Sequence, residues 1–213
     1  MKFVVATFNP GKLKELRELL ELPHITLLAL DAFPQAVAPP EQGITLEDNA
    51  LDKAHAALSF TGLPAIADDT GLEVDALGGR PGIRSARFAG SEATDAENLA
   101  RLLEELQGVP ESRRSASFRS VCVACFPDRT HRVGIGVLEG RIAERPRGDS
   151  GFGYDPVFEI PDLGRTLAEL SAAEKNAISH RARAVRALAR LLATEHPEWR
   201  MVASAEERGE RPE

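Results

Sequence analysis

The stretch KFVVAT at residues 2–7 decides the fold class, because it is a short and nearly continuous apolar run. Such a run is typical of a strand that is buried on both faces of a sheet. An amphipathic helix is predicted after the break at residues 9–12, and a second helix is predicted over residues 45–60. Apolar runs at residues 25–30 and 64–67 predict two further strands. The first third therefore has the order β-α-β-loop-α-β, which indicates an α/β fold.

The remaining two thirds of the chain predict that the sheet is mixed. Thr45 and Thr94 each begin a capping-box pattern, so a helix should start at each of them. Residues 115–126 and 131–138 have the pattern of consecutive strands joined by a turn, which favours an antiparallel hairpin. Residues 179–196 predict a final amphipathic helix. We therefore expect a mixed sheet with flanking helices.

The composition is typical of one soluble globular domain. Of 213 residues, 43% are hydrophobic and 28% are charged, and the net charge is −7. The acidic balance argues against a broad basic face for nucleic acid. We find no signal-peptide core and no run that could span a bilayer, so a cytoplasmic location without a membrane partner is expected. We predict one domain over residues 1–200 and a charged, disordered tail over residues 201–213.

The two cysteines, Cys122 and Cys125, have the C-x-x-C spacing of redox and zinc sites. Their flanking sequence predicts a strand, and positions three apart on a strand point to opposite faces. We therefore expect two reduced, partly buried cysteines that share neither a disulfide nor a metal.

The pair Asp68-Asp69 is predicted to end the strand at residues 64–67, and Thr70 follows it. The ends of strands are where α/β folds place their active sites. Adjacent carboxylates in a tight turn repel each other unless a cation joins them. Magnesium prefers carboxylates together with phosphate oxygens and water, so the pair is a candidate metal and water-activating site. The other interpretation is a capping pair that has no chemical role.

Two lysines are candidates for phosphate contacts. Lys12 follows the strand-to-helix loop that begins at Thr7, and such a helix N-terminus favours phosphate, although no Walker A motif is present. Lys53 lies four residues after Asn49, so the two share a helix face. The alternatives are an ordinary loop and a solvated lysine.

The segment SGFGYDPVF at residues 150–158 predicts a tight turn that presents aromatic rings and a carboxylate. Lys175 and the sequence Ser179-His180-Arg181 follow it. Ser179 is the predicted cap of a helix, and the dipole disfavours cations at that end, so His180 and Arg181 look like ligand-binding groups. Together these segments suggest a pocket for a flat, polar-edged and negatively charged molecule. A turn with two core aromatic residues and a structural histidine is the alternative.

These segments, in this order, resemble the family of pyrophosphatases that act on non-standard purine nucleoside triphosphates. The family is also called the inosine/xanthosine triphosphatase or Ham1-like family. The resemblance covers about residues 2–192 and rests on four short motifs, at residues 7–12, 68–72, 152–156 and 175–181. It implies hydrolysis of ITP, dITP and XTP to the monophosphate and pyrophosphate, magnesium dependence and a homodimer. It also implies a long, twisted mixed β-sheet with two lobes around a central groove.

The resemblance also implies a role for individual residues. Asp69 would bind magnesium and accept the proton of a water molecule, and Glu41 would be a second metal ligand. The implied substrate-binding residues are Thr7, Phe8, Asn9, Pro10, Gly11, Lys12, Lys53, Thr70, Phe152, Gly153, Tyr154, Asp155, Lys175, His180 and Arg181. The chain departs from the family at Phe8, where a small or polar residue is common, and at Thr70, where serine is common.

Two rival functions remain at this point. One is a pyrophosphatase for other modified nucleotides, which a panel of substrates would separate. The other is a nucleotide sensor that binds without catalysis. The Asp68-Asp69 pair argues against a sensor, because a pure binding site has no need of a carboxylate beside the phosphates.

Overall fold

The structure is a computed structural model that describes residues 1–20, 22, 24–38 and 41–197. The predicted tail at residues 201–213 lies outside the described residues. The helices are α1 (Pro10–Leu19), α2 (Leu46–Thr61), α3 (Asp95–Glu105), α4 (Ala172–Ile178) and α5 (His180–Glu195). The strands are β1 (Lys2–Val5), β2 (Thr26–Ala29), β3 (Ala65–Val74), β4 (Pro81–Gly82), β5 (Ser115–Cys125), β6 (His131–Ile142), β7 (Phe158–Ile160) and β8 (Arg165–Thr166).

The described strands form one eight-stranded mixed sheet. Its order is β2-β1-β3-β5-β6-β7-β8, and β4 pairs with β3 beside this path. β1 is parallel to β2 and to β3, whereas the remaining pairs are antiparallel. The predicted α/β class, the mixed sheet and the β5–β6 hairpin are therefore confirmed.

The helix starts follow from local capping chemistry. Asn9 caps α1 by accepting a hydrogen bond from the Lys12 amide, and Pro10 occupies the first helical position. Thr45 and Thr94 form complete capping boxes at α2 and α3, as the sequence predicts. Ser179 caps α5 and also ends α4, so two helices meet at one serine.

Three apolar clusters fill the protein. One cluster joins α1 and α5 to one face of the sheet and includes Phe3 and Cys122. A second cluster joins α2 to the opposite face and includes Val4 and Cys125. The third packs α3 against the distal parts of β3, β5 and β6 and contains Phe158. The two cysteines lie on opposite faces of β5, as predicted, but both are fully buried, whereas the sequence predicted partial burial.

The prediction that the strand ends at Asp68-Asp69 is wrong. β3 continues to Val74, and each of its residues has a partner on β5. Aspartate, threonine and glycine are poor strand formers, so local propensity suggested a turn. The strand persists because successive side chains point to opposite faces, and each carboxylate finds cations on its own face.

The strand that does end near Asp68 is the neighbouring strand β1. It pairs with β3 only as far as Val5 opposite Ile66, and β4 resumes the pairing at Leu72. In the described chain, residues 67–71 of β3 therefore have a strand partner on the β5 side alone. This gap in the sheet, beside the N-terminus of α1, opens the cleft described below.

Helix α5 lies unusually close to β6. A Cβ atom at Gly136 would be 2.1 Å from the His180 carbonyl oxygen and 2.4 Å from the Ala184 amide nitrogen. A Cβ at Gly134 would meet the Ala184 carbonyl oxygen at 2.2 Å. Because the opposing atoms belong to backbone, only glycine allows this approach.

We predict that Gly136→Ala destabilises the protein by about 1–3 kcal/mol, because α5 must move away from β6. Urea unfolding measures the change. The control is Glu139→Ala on the exposed side of the same strand, which should alter stability by less than about 0.5 kcal/mol. Equal stability of the two variants would contradict this account of the helix position.

Candidate active site

The largest concentration of predicted site residues surrounds a cleft at the gap in the sheet. The cleft encloses about 710 Å³, counting the part open to solvent, which lies within the rough 300–1,000 Å³ range of ligand sites. The predicted residues that line it are Asn9, Lys12, Glu41, Asp69, Thr70, Phe152, Gly153, Tyr154, Asp155, Lys175, His180 and Arg181. Among the described residues, five predicted ones are not part of this lining, namely Thr7, Phe8, Pro10, Gly11 and Lys53.

The N-terminus of α1 forms one end of the cleft. The Asn9 amide donates to the Thr7 hydroxyl at 3.1 Å, which shapes the turn, and the Phe8 side chain is 45% exposed. Lys12 Nζ lies 3.4 Å from Asp68 Oδ2 and 3.5 Å from the Asp68 carbonyl oxygen, at the unpaired edge of β3. Burial lowers the pKa of Lys12, although the carboxylate of Asp68 opposes that shift. The predicted loop thus brings a lysine to the cleft, while several of its neighbours serve to shape the turn.

The Asp69 side chain points toward α2. Lys53 Nζ donates to Asp69 Oδ1 at 2.7 Å, and the Asn49 amide donates to Oδ2 at 3.2 Å. The same ammonium lies 2.5 Å from Glu41 Oε1, and the Arg87 guanidinium contacts the other Glu41 oxygen. Burial would raise the pKa of Glu41, but Lys53 and Arg87 hold it below its usual value. Glu41, which the resemblance implies as a metal ligand, therefore lies in a network with Lys53 and Arg87.

The Asp68 side chain points to the other face, toward α5. Arg181 Nε donates to Asp68 Oδ2 at 3.0 Å, and Arg181 Nη2 lies 3.0 Å from the same oxygen. Nη2 donates to the Thr70 hydroxyl at 3.2 Å, and that hydroxyl lies 3.1 Å from Asp68 Oδ2. Arg181 also contacts Glu15 of α1. Burial would raise the pKa of Asp68, but Arg181 and Lys12 lower it well below its usual value. Asp68 is therefore ionised and anchors Arg181.

The turn at residues 152–155 forms the opposite wall. Its Asp155 carboxylate accepts from the Phe152 amide at 2.9 Å and from Lys175 Nζ at 2.5 Å. Burial raises the pKa of Asp155, although Lys175 opposes the shift. The Tyr154 hydroxyl donates to the Ser85 carbonyl at 2.8 Å, so this tyrosine borders the cleft while its polar group is already engaged.

The Phe152 ring lies among cations. Lys175 Nζ is 5.0 Å and Arg181 Cζ is 5.5 Å from the ring centroid, both within range of a cation–π contact. A Cβ at Gly11 would meet the ring at 2.7 Å, so the glycine of the α1 loop leaves room for the aromatic side chain. Gly11 therefore contributes to the site by its lack of a side chain.

His180 is buried and stacked. Its ring lies 4.4 Å from the Phe118 ring, centroid to centroid, with 21° between their planes. Burial lowers the pKa of His180 well below 6.5, and Arg181 lowers it further, so the imidazole is neutral near pH 7. Within the described chain, His180 Nδ1 and Asp68 Oδ1 are the buried side-chain atoms without a hydrogen-bond partner. A neutral ring with a free nitrogen is available to a ligand.

The chain resembles known proteins over most of its length. A sequence model of the Ham1 family matches residues 3–191. A dITP/XTP pyrophosphatase of Geobacter sulfurreducens is 49% identical over 184 residues, which cover 86% of this chain and 92% of that protein.

The chain belongs to the Ham1 family.

Solved Ham1 structures share its fold. A HAM1 protein from Coxiella burnetii superposes with a TM-score of 0.82 at 43% identity and covers 91% of this chain and 99% of its own. A nucleoside-triphosphatase / dITP/XTP pyrophosphatase from Mycobacterium abscessus gives a TM-score of 0.71 at 46% identity, covering 90% of this chain and 99% of its own. The family expected from the motifs is thus confirmed.

The carboxylates of this Ham1 protein fit a magnesium ion that is shared with a phosphate ligand. Glu41 and Asp69 both reach one point, because a single ammonium contacts an oxygen of each. The described residues contain no group of three or more His, Cys, Asp or Glu side chains that could enclose a metal. Two carboxylates suit magnesium, which usually takes one or two of them together with water and substrate phosphates.

Three residues that this Ham1 protein places at the site were not predicted from the sequence, namely Glu15, Asp95 and Phe118. Glu15 contacts Arg181 and lies 2.7 Å from Lys175 Nζ, so it holds two cations of the wall. Asp95 accepts from the Gly153 amide at 2.9 Å, and Phe118 has the contact given above. The spacing of Glu15 from Lys12 places both on one helix face, a signal that could have suggested its role.

No helix in the described part of the chain is both long enough and apolar enough to cross a membrane.

The low pKa of His180 predicts an acid-dependent loss of stability. As the pH falls below about 6.5, unfolded chains bind a proton at residue 180 that the folded protein does not bind, so the free energy of unfolding decreases. The loss attributable to this residue should be about 1.4 kcal/mol at pH 5.5. In His180→Phe, which can keep a ring beside Phe118 but cannot titrate, the difference between pH 7.5 and 5.5 should be smaller by that amount.

Urea unfolding of both proteins at the two pH values provides the measurement. The other histidines are present in both, so their contribution cancels in the comparison. An identical pH dependence for the two proteins would show that His180 titrates normally.

Proposed function

We propose that this protein hydrolyses inosine, deoxyinosine and xanthosine triphosphates to the nucleoside monophosphate and pyrophosphate, and so removes non-standard purines from the nucleotide pool. One observation carries the proposal. A single cleft joins a carboxylate–lysine group around Asp69 to an aromatic and cationic wall around Phe152 and Arg181. Relatives named dITP/XTP pyrophosphatase, which are 44–50% identical across most of the chain, support the same activity.

The phosphate end of the cleft is the N-terminus of α1. Lys12, Lys53 and the helix dipole supply positive charge there, and Asn9 lines the same wall. Phosphoryl transfer depends on charge neutralisation and in-line positioning more than on covalent chemistry. A triphosphate laid across the gap in the sheet would lie between the α1 cap and the Asp69 carboxylate.

Magnesium is the proposed cofactor, and Glu41 with Asp69 would hold it. When bound, the ion would neutralise charge on the phosphate oxygens. The described cluster already balances the charges of the two carboxylates with those of Lys53 and Arg87, which suits a site that must accept a cation and a polyanion together.

Asp69 is the proposed proton acceptor. Lys53 and Asn49 fix both of its oxygens, so the carboxylate has a defined direction at the edge of the cleft. It would orient a water molecule toward the α-phosphorus and take its proton. The new bond joins the water oxygen to the α-phosphorus, the bond to the α–β bridging oxygen breaks, and pyrophosphate leaves.

The base would occupy the opposite wall, beside Phe152. Hypoxanthine and xanthine carry a 6-oxo acceptor, whereas adenine carries a 6-amino donor. Arg181 is held permanently cationic, because Asp68 and Glu15 raise its pKa against the effect of burial. Its N–H groups and neutral His180 can bond to an oxo group, and a site built on such bonds can reject an amino group by up to roughly 10⁴-fold.

The remaining expectations belong to the same proposal. We propose a single two-lobed domain over residues 1–200 that acts as a homodimer in the cytoplasm, without a nucleic-acid or membrane partner. The third apolar cluster is distinct from the other two, which supports the two-lobed description. Sedimentation equilibrium of the purified protein would measure its assembly state.

The proposed substrate class predicts a specific pattern of pyrophosphate release. With magnesium, ITP, dITP and XTP should be hydrolysed much faster than dATP, dGTP or dTTP, and a chelator should abolish the activity. Release from dTTP alone would indicate a pyrophosphatase for other nucleotides. Tight binding of dITP without any release would indicate a sensor.

Asp69→Asn should lower kcat by about 10²–10⁴-fold and change KM little, because the amide keeps the shape of the side chain but cannot accept a proton. Steady-state release of pyrophosphate from dITP gives both constants. Asp52→Asn, at an exposed carboxylate on the same α2 helix, is the control and should behave like the parent protein. A raised KM with an unchanged kcat would contradict the role of Asp69 as proton acceptor.

A further inference from the structure

Lys53 occupies an unusual position relative to the two carboxylates proposed to hold magnesium. Its Nζ lies 2.5 Å from Glu41 Oε1 and 2.7 Å from Asp69 Oδ1, so it contacts one oxygen of each. A divalent ion bound to the same two oxygens would come within contact distance of that ammonium. Two cations cannot share these ligands without strong repulsion.

We propose that Lys53 is an internal counter-ion that competes with magnesium for Glu41 and Asp69, and that it moves onto a phosphate oxygen when the metal and the triphosphate bind together. This inference rests on the proposed function. It adds to it a coupling between the two ligands, in which the metal binds weakly to the protein alone and tightly together with the nucleotide.

The local charge supports weak binding of the metal alone. Glu41 and Asp69 provide two negative charges, and Lys53 and Arg87, which contact them directly, provide two positive charges. A free divalent ion therefore meets a cluster without net negative charge, and gains little by entering it.

The surroundings of Lys53 support its movement onto phosphate. The side chain is only 14% exposed, and its ammonium contacts Glu41 and Asp69, which line the same cleft as Lys12. Lysine has a flexible four-carbon stem and no fixed hydrogen-bond geometry, so its ammonium can exchange one oxygen partner for another. A triphosphate beside Lys12 would offer such oxygens.

Coupling of this kind is reciprocal, so it can be measured from either ligand. Metal bound first should raise the affinity for the nucleotide, and nucleotide bound first should raise the affinity for the metal. If Lys53 were only a fixed phosphate ligand, it would strengthen nucleotide binding. Its removal would then leave the affinity for free metal unchanged or, by disturbing the fold, would lower that affinity.

Isothermal titration of the full-length protein with Mn²⁺ alone separates these cases. Lys53→Met removes the competing charge and should bind Mn²⁺ at least about tenfold more tightly than the parent protein. Lys53→Arg keeps the charge and should bind Mn²⁺ as weakly as the parent. Lys14→Met, at a lysine that is 72% exposed, is the control for net charge and should leave Mn²⁺ affinity unchanged.

A second titration uses an α,β-imido analogue of dITP, which cannot be cleaved at the reacting bond. In the parent protein, saturating Mn²⁺ should strengthen binding of the analogue, and Lys53→Met should reduce that enhancement. Should Lys53→Met fail to fold, Arg87→Met provides the test, because it removes the other cation on Glu41 and should also raise Mn²⁺ affinity.

The inference is overturned if folded Lys53→Met binds free Mn²⁺ no more tightly than the parent protein does. Pyrophosphate release by the parent protein distinguishes this failure from failure of the proposed function. Metal-dependent turnover by the parent protein, together with an Mn²⁺ affinity that Lys53→Met does not change, would reject the counter-ion role of Lys53 and leave the proposed function standing. Absence of turnover from every nucleotide would reject the function itself.

Discussion

The buried ion pair between Asp68 and Arg181 is the interaction on which the site depends. It joins the middle of β3 to the first turn of α5, and both side chains are almost completely inaccessible to solvent. Removing either charge would leave the other unpaired in a low-dielectric setting, which is strongly destabilising. The pair therefore fixes where α5 begins relative to the sheet, and with it the position of His180.

Strand geometry gives the two neighbouring aspartates different tasks. Asp68 faces α5 and holds Arg181, while Asp69 faces α2 and meets Lys53. Successive residues on a strand point to opposite sides, so two adjacent acids can avoid direct repulsion and each can have its own cations. Asp69 and the Arg181 side chain that Asp68 holds both line one cleft, beside the edge of β3 that β1 leaves open after Val5.

Much of the fold could be predicted from local patterns. The capping boxes at Thr45 and Thr94, the β5–β6 hairpin and the opposite faces of the cysteines all follow from residue spacing, and the structure confirms them. The continuation of β3 through Asp68 could not be predicted, because the ion pair between Asp68 and Arg181 joins residues 113 positions apart.

The candidate site shows the same division. Twelve of its predicted residues line one cleft, and the motifs that carry them are short and local. Glu15, Asp95 and Phe118 were missed, since each acts on a residue from a distant segment and has no distinctive neighbours in sequence. Tyr154, which the resemblance implies as a substrate-binding residue, lines the cleft, but its hydroxyl already donates a hydrogen bond to the Ser85 carbonyl.

The close approach of α5 to β6 limits how the base preference proposed for this site could change in evolution. Backbone meets backbone at Gly134 and Gly136, so no side chain between the two elements can be enlarged or trimmed to slide the helix. The height of His180 and Arg181 above the sheet is thereby fixed. A lineage that altered its preferred base would have to exchange those side chains, or the turn opposite them, and could not reach the same end by shifting the helix.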